Sequence, residues 1–207
     1  MYRVNEIFYT LQGEGAHSGI PAVFIRFSGC NLHCLWCDTD FADSHEMTAE
    51  AIVQEALSLY DVPNERRKMC VLTGGEPSLQ VDADLISALH VAGFYICIET
   101  NGTRPIPEGI DWVTCSPKKG SQLALRKVDE VKVVFTGDYD PEIWRTQLEA
   151  EHWMLQPLRY NGEWLMNGGV DEWQDDRNDN LDDTVRYILA HPFWRLSVQL
   201  HKIVGIR

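Results

Sequence analysis

Hydrophobic and polar positions follow two periods along the chain, one typical of strands and one typical of helices. Short apolar runs bounded by polar or turn residues predict strands, and they cover residues 6–10, 21–27, 69–72, 94–98, 112–115, 130–135, 153–156 and 196–200. Apolar residues recur at helical spacing over residues 49–60, 85–89 and 181–190. Thr48 and Asp82 are suited to begin the first two helices, and Gly93 to end the second. A further short helix is expected to begin at Pro141.

Apolar strands joined by helical crossovers predict an α/β fold with a parallel sheet buried on both faces. Polar motifs follow four predicted strands, at residues 73–76, 99–102, 116–118 and 156–157. Because active sites of α/β folds lie at the carboxyl ends of the strands, we expect the functional site at that edge. The chain has 207 residues, fewer than the ~250 typical of an eight-fold barrel. We therefore expect one domain over residues 1–207, built as an open, six-stranded partial barrel with few helices.

Composition and charge exclude several classes of protein. Hydrophobic residues make up 44% and charged residues 24% of the chain, as in ordinary globular proteins rather than disordered chains or coiled coils. No apolar stretch approaches the ~20 residues of a membrane helix, and no apolar signal core follows Arg3. With 18 Lys and Arg against 31 Asp and Glu, the net charge is −13, which disfavours duplex nucleic acid as a partner. We expect a cytoplasmic protein.

One acidic segment interrupts the pattern near the end of the chain. Between residues 171 and 183, a single basic residue, Arg177, stands against Asp171, Glu172, Asp175, Asp176, Asp179, Asp182 and Asp183. The segment lacks the fixed ligand spacing of an EF-hand. We interpret it as a solvated acidic loop rather than a calcium site or docking element.

The six cysteines fall into two groups. Without a signal peptide, clustered cysteines indicate metal ligands or catalysis rather than disulfides. Cys30, Cys34 and Cys37 have the spacing C-x3-C-x2-C, so their thiolates can converge on one metal centre. A structural zinc site would need a fourth ligand, for which His33 is the nearest donor. Three thiolates suit a [4Fe-4S] cluster that keeps one iron open. The remaining cysteines lie in apolar strand patterns and are interpreted as core residues: Cys70, Cys97 and Cys115.

Two motifs together resemble the radical S-adenosyl-L-methionine (SAM) enzymes. C-x3-C-x-aromatic-C, with Trp36 as the aromatic residue, resembles their cluster signature. Residues 74–77, Gly-Gly-Glu-Pro, resemble the second element, which receives the amino group of SAM. A tight glycine-rich turn would explain the second motif equally well by itself. The two motifs in order, each after a predicted strand, favour a [4Fe-4S] cluster and SAM over zinc.

Further segments resemble one family, 7-carboxy-7-deazaguanine synthase of the queuosine pathway. They are residues 8–15, 24–26, 37–41, 98–102, 116–118 and 196–202. The resemblance is weakest from 159 to 183, where this sequence carries an acidic insertion. It implies a lyase that converts 6-carboxy-5,6,7,8-tetrahydropterin to 7-carboxy-7-deazaguanine with loss of ammonia. It also implies Mg²⁺, a flavodoxin or ferredoxin as electron donor, and a homodimer.

The same resemblance implies roles for individual residues. Thr39 corresponds to a hydroxyl ligand of Mg²⁺. The implied substrate contacts are Leu11, Gln12, Gly13, Glu14, Arg26, Thr73 and Arg207. Arg26 can bind the substrate carboxylate in a forked geometry, with a surface ion pair as the alternative. Glu14 can accept from the ring N–H groups, with a plain surface carboxylate as the alternative. The main-chain carboxylate of Arg207 is expected to accept from the 2-amino group and the neighbouring ring N–H, and its side chain is not required.

The implied cofactor contacts are Trp36, Cys37, Asp38, Gly75, Ser116, Pro117, Lys118, Gln156, Pro157, Leu158 and Arg159. Leu158 and Arg159 depart from the small or acidic residues usual there, so we expect backbone contacts in that stretch. No side chain is expected to act as a catalytic acid or base, since the reactive radical comes from SAM.

Two rival functions remain open at this point. An activating enzyme for a glycyl-radical protein shares the cluster motif, although it has no use for a carboxylate-binding Arg26. A non-catalytic iron–sulfur or zinc scaffold is the second rival. Because small electron donors are usually acidic, basic residues are candidate docking charges, namely Arg66, Arg67, Lys68, Lys118 and Lys119.

Overall fold

The computed structural model describes residues 1–35, 37, 39, 43–60, 68–158 and 179–207. The described strands are β1 (Tyr2–Leu11), β2 (Pro21–Phe27), β3 (His45–Met47), β4 (Lys68–Gly74), β5 (Phe94–Thr100), β6 (Trp112–Cys115), β7 (Glu130–Phe135), β8 (His152–Pro157) and β9 (Arg195–Leu196). The described helices are α1 (Ala49–Leu59), α2 (Ala83–Val91), α3 (Asp179–Ala190) and α4 (Leu200–Val204). Three 3-10 turns cover Gly15–His17, Pro77–Leu79 and Pro141–Thr146.

All described strands belong to one sheet, in the order β3-β1-β2-β4-β5-β6-β7-β8-β9. From β2 to β9 each strand is parallel to its neighbour, whereas β1 pairs antiparallel with both β2 and β3. The mostly parallel sheet with few helices confirms the predicted fold class. Within the described part of the chain the parallel strands number seven rather than six, because β9 adds a two-residue strand at the edge.

The core forms on both faces of the sheet. Helices α1 and α2 bury their apolar sides, including Ile52 and Leu89, in the larger cluster. A smaller cluster on Phe8, Phe24 and Val71 covers the other face. The three cysteines predicted in strands are buried in these clusters. Burial therefore raises their pKa values, to about 12 for the Cys115 thiol.

The first two helices begin where the sequence predicts. Thr48 Oγ1 accepts from the backbone N–H of Ala51 at 3.2 Å, and Asp82 Oδ1 accepts from that of Leu85 at 3.1 Å. Each cap satisfies a backbone donor that has no partner within the helix. Asp82 also accepts from the Tyr2 hydroxyl at 2.6 Å, which ties α2 to the start of β1.

The end of the chain differs from the predicted strand over residues 196–200. Strand β9 stops at Leu196, and the chain turns into α4 at Leu200. The backbone N–H of Ser197 donates to Leu155 at 2.9 Å, and that of Leu200 donates to Gly13 at 2.8 Å. The second bond draws the chain away from the sheet edge and over the loop that follows β1.

Two further differences concern the ends of elements. Strand β1 begins at Tyr2 rather than at residue 6, and β3, which pairs with it, was not predicted. Helix α3 begins at Asp179, two residues before the predicted start. Most of the acidic segment lies outside the described residues, and Asp182 and Asp183 are exposed on α3. The single-domain assignment stays a prediction. None of the described helices has the length and apolar character needed to cross a membrane.

Candidate active site

Three cavities meet at the carboxyl ends of the parallel strands, where the sequence predicts the site. The arginine cavity, 440 Å³ in volume, contains Arg26 and Glu14. The cysteine cavity, 190 Å³, adjoins it, and Thr39 and Thr73 line both. The side cavity, 320 Å³, shares Cys34 with the cysteine cavity. All predicted substrate contacts line the arginine cavity: Leu11, Gln12, Gly13, Glu14, Arg26, Thr73 and Arg207.

The three clustered cysteines lie on the loop that follows β2, and all line the cysteine cavity. Cys30 and Cys34 are half-buried and Cys37 is exposed. Burial raises the pKa of the Cys34 thiol, and the neighbouring thiols add to this effect while the Lys118 ammonium opposes it. Within the described residues, no group of three or more His, Cys, Asp or Glu side chains is already arranged as a metal site.

The donor set nevertheless fits an iron–sulfur cluster better than zinc. Three thiols face one cavity, as a [4Fe-4S] cluster with one open iron requires. A tetrahedral zinc site would need a fourth ligand. His33 is exposed and lines the side cavity rather than the cysteine cavity.

The glycine-rich loop after β4 is fastened directly to the start of the cysteine loop. The backbone N–H of Gly75 donates to the Phe27 carbonyl at 3.0 Å, and that of Glu76 to the Gly29 carbonyl at 2.8 Å. A Cβ atom at Gly75 would lie 2.1 Å from the Gly29 oxygen. Only glycine therefore allows the two loops to approach this closely.

Glu76 joins these loops to the end of β5, a role that our sequence analysis missed. Its side chain is 1% exposed and accepts from Ser78 N at 3.0 Å, Thr100 Oγ1 at 2.7 Å and Asn101 N at 2.7 Å. Asn101 Nδ2 in turn donates to Asn31 of the cysteine loop at 3.0 Å. A carboxylate directly after a buried strand was the available signal, because such a group must find donors.

Most of the described residues predicted to contact SAM lie on cavity walls. Cys37, Gly75, Ser116, Lys118 and Gln156 line the cysteine cavity, and Pro117 lines the side cavity. Pro157 and Leu158 line none of the three cavities. The Leu158 N–H instead donates to Asn180 Oδ1 at 2.6 Å, which ties the end of β8 to α3. Trp36, Asp38 and Arg159 lie outside the described residues.

The three described residues among the predicted docking charges lie in different surroundings. Lys118 Nζ donates to the carbonyl and hydroxyl of Ser116 at 2.6 and 2.8 Å, and burial lowers the pKa of this lysine. Lys119 is exposed and forms a 2.8 Å ion pair with Asp138. Lys68 begins β4 and so lies at the opposite edge of the sheet from the cysteines. Arg66 and Arg67 lie outside the described residues.

Arg26 is held by a cross-strand partner. Glu6 lies opposite Arg26 in the β1–β2 register, and Arg26 Nε donates to Glu6 Oε1 at 2.9 Å. Arg26 Nη1 lies 3.5 Å from the Thr39 hydroxyl. Arg26 is therefore ion-paired, as the alternative interpretation held, and it also lines the arginine cavity.

A second guanidinium reaches the same carboxylate. Arg207 Nη2 pairs with Glu6 Oε2, and the guanidinium lies 4.7 Å from the centre of the Phe8 ring. Thr10 Oγ1 donates to the main-chain oxygen of Arg207 at 3.0 Å. Both the side chain and the main chain of Arg207 therefore lie at this end of the cavity, and the role expected for its main-chain carboxylate stays a prediction. The role of Glu6 was also missed.

At the other end of the cavity lies a polar group that we name the lysine cluster, formed by Lys132, Glu14 and Glu99. The two half-buried carboxylates line the arginine cavity, and Lys132 lines the adjoining cysteine cavity. Lys132 Nζ donates to Glu14 Oε2 and lies 3.6 Å from Glu99 Oε1. Glu14 Oε1 accepts from the amides of Gln156 at 3.1 Å and Gln199 at 2.8 Å. No local pattern around Lys132 indicated this role, because its partners come from the loop after β1 and from β5, both distant in the sequence.

Comparisons with known proteins agree with this arrangement. The profile of the Radical SAM superfamily matches residues 24–147. The chain is 50% identical to 7-carboxy-7-deazaguanine synthase of Bacteroides thetaiotaomicron over the full length of both. It is 42% identical to the same-named protein of Bradyrhizobium diazoefficiens, with coverage of 100% and 99%. The crystal structure of QueE from Escherichia coli superposes with a TM-score of 0.71 at 27% identity, covering 97% of this chain and 94% of that one. The chain therefore belongs to the 7-carboxy-7-deazaguanine synthase family, lyases of the radical SAM superfamily that use a [4Fe-4S] cluster and SAM.

Proposed function

We propose that the arginine cavity binds 6-carboxy-5,6,7,8-tetrahydropterin, which the enzyme converts to 7-carboxy-7-deazaguanine with loss of ammonia. One observation carries this proposal: a single cavity has guanidinium groups at one end and half-buried carboxylates at the other, and it adjoins three clustered thiols. Its volume of 440 Å³ falls within the ~300–1,000 Å³ usual for small-molecule sites.

The carboxylate of the substrate would bind at the Arg26 end. Two guanidinium groups, of Arg26 and Arg207, share the single carboxylate of Glu6. An incoming carboxylate can accept from guanidinium N–H groups that Glu6 does not occupy. Glu6 would orient Arg26, since its bond to Nε directs Nη1 towards Thr39.

The ring edge of the substrate would bind at the opposite end, where it meets hydrogen-bond acceptors. The 2-amino group and the neighbouring ring N–H are donors, and Glu14 and Glu99 are carboxylates on that wall. An ionised carboxylate has about four acceptor positions. Three of those of Glu14 are used by Lys132, Gln156 and Gln199. The fourth can receive a substrate N–H, while the hydroxyl of Thr73 and the backbone of residues 11–13 contact the rest of the ring system.

The cysteine cavity would hold the cofactors beside the substrate. Cys30, Cys34 and Cys37 would bind the [4Fe-4S] cluster, and Gly75, Ser116, Lys118 and Gln156 would contact SAM. When bound, these cofactors supply the chemistry that removes a hydrogen atom from the substrate. Thr39 lines both cavities, so its hydroxyl can bind Mg²⁺ that also takes water and substrate oxygens. The protein contributes orientation and shields the reacting atoms from water.

The reductant would approach from the cysteine loop. Leu35 is fully exposed and Cys37 is exposed on this loop, so a bound cluster would lie near the surface. A flavodoxin or ferredoxin fits this requirement. The homodimeric assembly is proposed on the family resemblance alone.

Anaerobic turnover of the reconstituted enzyme tests the proposed function. With dithionite, SAM and Mg²⁺, we expect 7-carboxy-7-deazaguanine and ammonia in equal amounts from the carboxypterin. SAM cleavage without ring contraction would instead indicate an activating enzyme. A loaded cluster that never cleaves SAM would indicate a scaffold.

The same assay tests the assigned orientation of the substrate. Arg26→Gln should raise the Michaelis constant about 10- to 100-fold, the range set by losing a charged hydrogen bond. The variant should keep its cluster absorbance, because Arg26 contacts none of the three cysteines in the described contacts. An unchanged Michaelis constant would contradict the placement of the carboxylate. A substrate analogue that lacks the carboxylate serves as the control, because its binding should not differ between Arg26→Gln and wild type.

A further inference from the structure

Lys132 lines the cysteine cavity, and its ammonium contacts two acidic side chains, Glu14 and Glu99, that line both this cavity and the arginine cavity. We propose that Lys132 is a positioning residue: it keeps Glu14 ionised and holds its carboxylate beside Glu99 as the acceptor wall for the N–H edge of the substrate. This inference rests on the proposed function. It names the residue whose positive charge the proposed binding of the ring edge requires.

The geometry restricts each member of the lysine cluster. The Lys132 side chain projects from β7, is 6% exposed, and places Nζ on Glu14 Oε2 and 3.6 Å from Glu99 Oε1. Gln12 Nε2 donates to Glu99 Oε1 at 2.9 Å, and Gln12 Oε1 accepts from Glu14 N at 3.2 Å. Both carboxylates are therefore oriented by bonds that come from β7 and from the loop after β1.

The electrostatics depend on the same ammonium. Burial by itself would raise the pKa of Glu14, but the charge of Lys132 and the bonds from Lys132 and Gln199 outweigh it and lower the pKa. Burial would lower the pKa of Lys132, yet the charges of Glu14, Glu99 and Glu130 raise it well above the ordinary value. The cation therefore stays charged across the physiological range.

Other charged groups surround the cluster from several elements. Glu99 belongs to β5 and Glu130 to β7, and both contribute negative charge at Lys132. His201 of α4, like Lys132, lowers the pKa of Glu14. The positive charge of Lys132 also lowers the pKa of Lys118, which follows β6. Lys132 makes the largest contribution that favours the ionised form of Glu14. After its removal, the effect of burial, which raises the pKa of Glu14, should dominate.

Ionisation matters because the 2-amino group and the neighbouring ring N–H of the proposed substrate are donors. A protonated Glu14 would present an O–H donor towards the N–H groups and lose an acceptor position. A buried carboxyl without its cation is protonated near neutral pH. Without Lys132, substrate affinity should then depend on pH. Loss of a purely structural ion pair would instead change the stability of the protein or its cluster loading, without a pH-dependent affinity.

The test compares Michaelis constants for the carboxypterin from about pH 6.5 to pH 9, the range in which a buried Glu titrates. Lys132→Met removes the charge, Lys132→Arg retains it, and Lys127→Met makes the same change at an exposed lysine. We expect the Michaelis constant of Lys132→Met to exceed that of wild type by about 10- to 100-fold at the acidic end. This ratio should fall as the pH rises. The other two variants should give ratios that do not vary with pH.

Each alternative outcome is decisive. A Lys132→Met ratio that is constant with pH, with normal cluster absorbance, would overturn the positioning role. If Lys132→Met fails to load a cluster, the role of Lys132 is tested by how the Michaelis constants of wild type and Lys132→Arg depend on pH. A wild-type Michaelis constant that rises on acidification within this range, as Glu14 takes up a proton, would overturn the inference. A ratio for Lys132→Arg that depends on pH would also overturn it. Absence of carboxypterin turnover by a wild-type enzyme that cleaves SAM would overturn the proposed function itself, and with it this role.

Discussion

At the scale of single residues, the surroundings of a cysteine decide its chemistry. The thiols of Cys30, Cys34 and Cys37 line one cavity, where they are placed to bind iron together. Cys70 is 0% exposed within the larger core cluster, and burial raises its pKa well above the ordinary value. Such a thiol stays neutral and acts as a small apolar side chain.

Cys34→Ala should therefore remove the visible absorbance of the reconstituted cluster and abolish SAM cleavage, because two thiolates do not hold the cluster. Cys70→Ala should keep both properties and lose roughly 1–3 kcal/mol of stability through a small cavity. Iron content, absorbance and thermal unfolding measure these effects. A Cys34→Ala protein that still cleaves SAM would contradict the cluster assignment.

At the scale of elements, the site is assembled from loops that follow different strands. The loop after β4 bonds to the loop after β2 through Gly75 and Glu76. The Glu76 carboxylate then binds the end of β5 through Thr100 and Asn101. Since the strands are parallel, their carboxyl ends meet at one edge, and short bonds between loops suffice to fix the relative positions of cysteine and SAM contacts.

Gly75→Ala should separate these loops, because its Cβ would meet backbone atoms of Gly29 and Cys30 rather than a mobile side chain. We expect a loss of about 1–3 kcal/mol of stability together with reduced cluster loading and weaker SAM binding. Gly93→Ala is the matched control, since it has a positive φ but no atom within 4 Å of its Cβ position. That variant should lose stability without a change in cluster loading. Equal loading of Gly75→Ala and wild type would contradict the close contact.

At the scale of the whole molecule, folding buries charged groups in a chain of net charge −13. Glu130 is 2% exposed and accepts from the Ala16 N–H at 2.7 Å. Burial raises its pKa above the ordinary 4.5, although Lys132 and the bond from Ala16 oppose this shift. The folded state thus holds this proton more tightly than the unfolded chain. The resulting stability is present below pH 4.5 and is lost as the pH rises through the raised native pKa.

Glu130→Gln should consequently be more stable than wild type above the native pKa of Glu130, because it resembles the protonated form and its carbonyl can still accept from Ala16. The advantage should disappear on acidification to below about pH 4.5. Thermal unfolding across this range measures it, with a shift of roughly 2–4 °C in Tm for each ~1 kcal/mol at this chain length. Glu108→Gln, at an exposed position, is the control. A Glu130→Gln protein less stable than wild type at neutral pH would contradict this account.

The sequence by itself determined what depends on neighbours a few residues away. The spacing of Cys30, Cys34 and Cys37, the cap at Thr48 and the periods of strands and helices all act over short stretches. The position of the site followed from the same information, because polar motifs after parallel strands must share one edge. The predicted substrate contacts accordingly line one cavity.

Only the tertiary structure decided which charges became partners. Lys132 and Glu14 are 118 residues apart, and Arg207 and Glu6 are 201 apart. The predicted final strand, residues 196–200, stops at Leu196, and Leu200 instead begins α4 and donates to Gly13 across the molecule. The physical reason is that the state of a charge depends on its burial and on the groups packed against it. Those surroundings exist only after distant strands have come together.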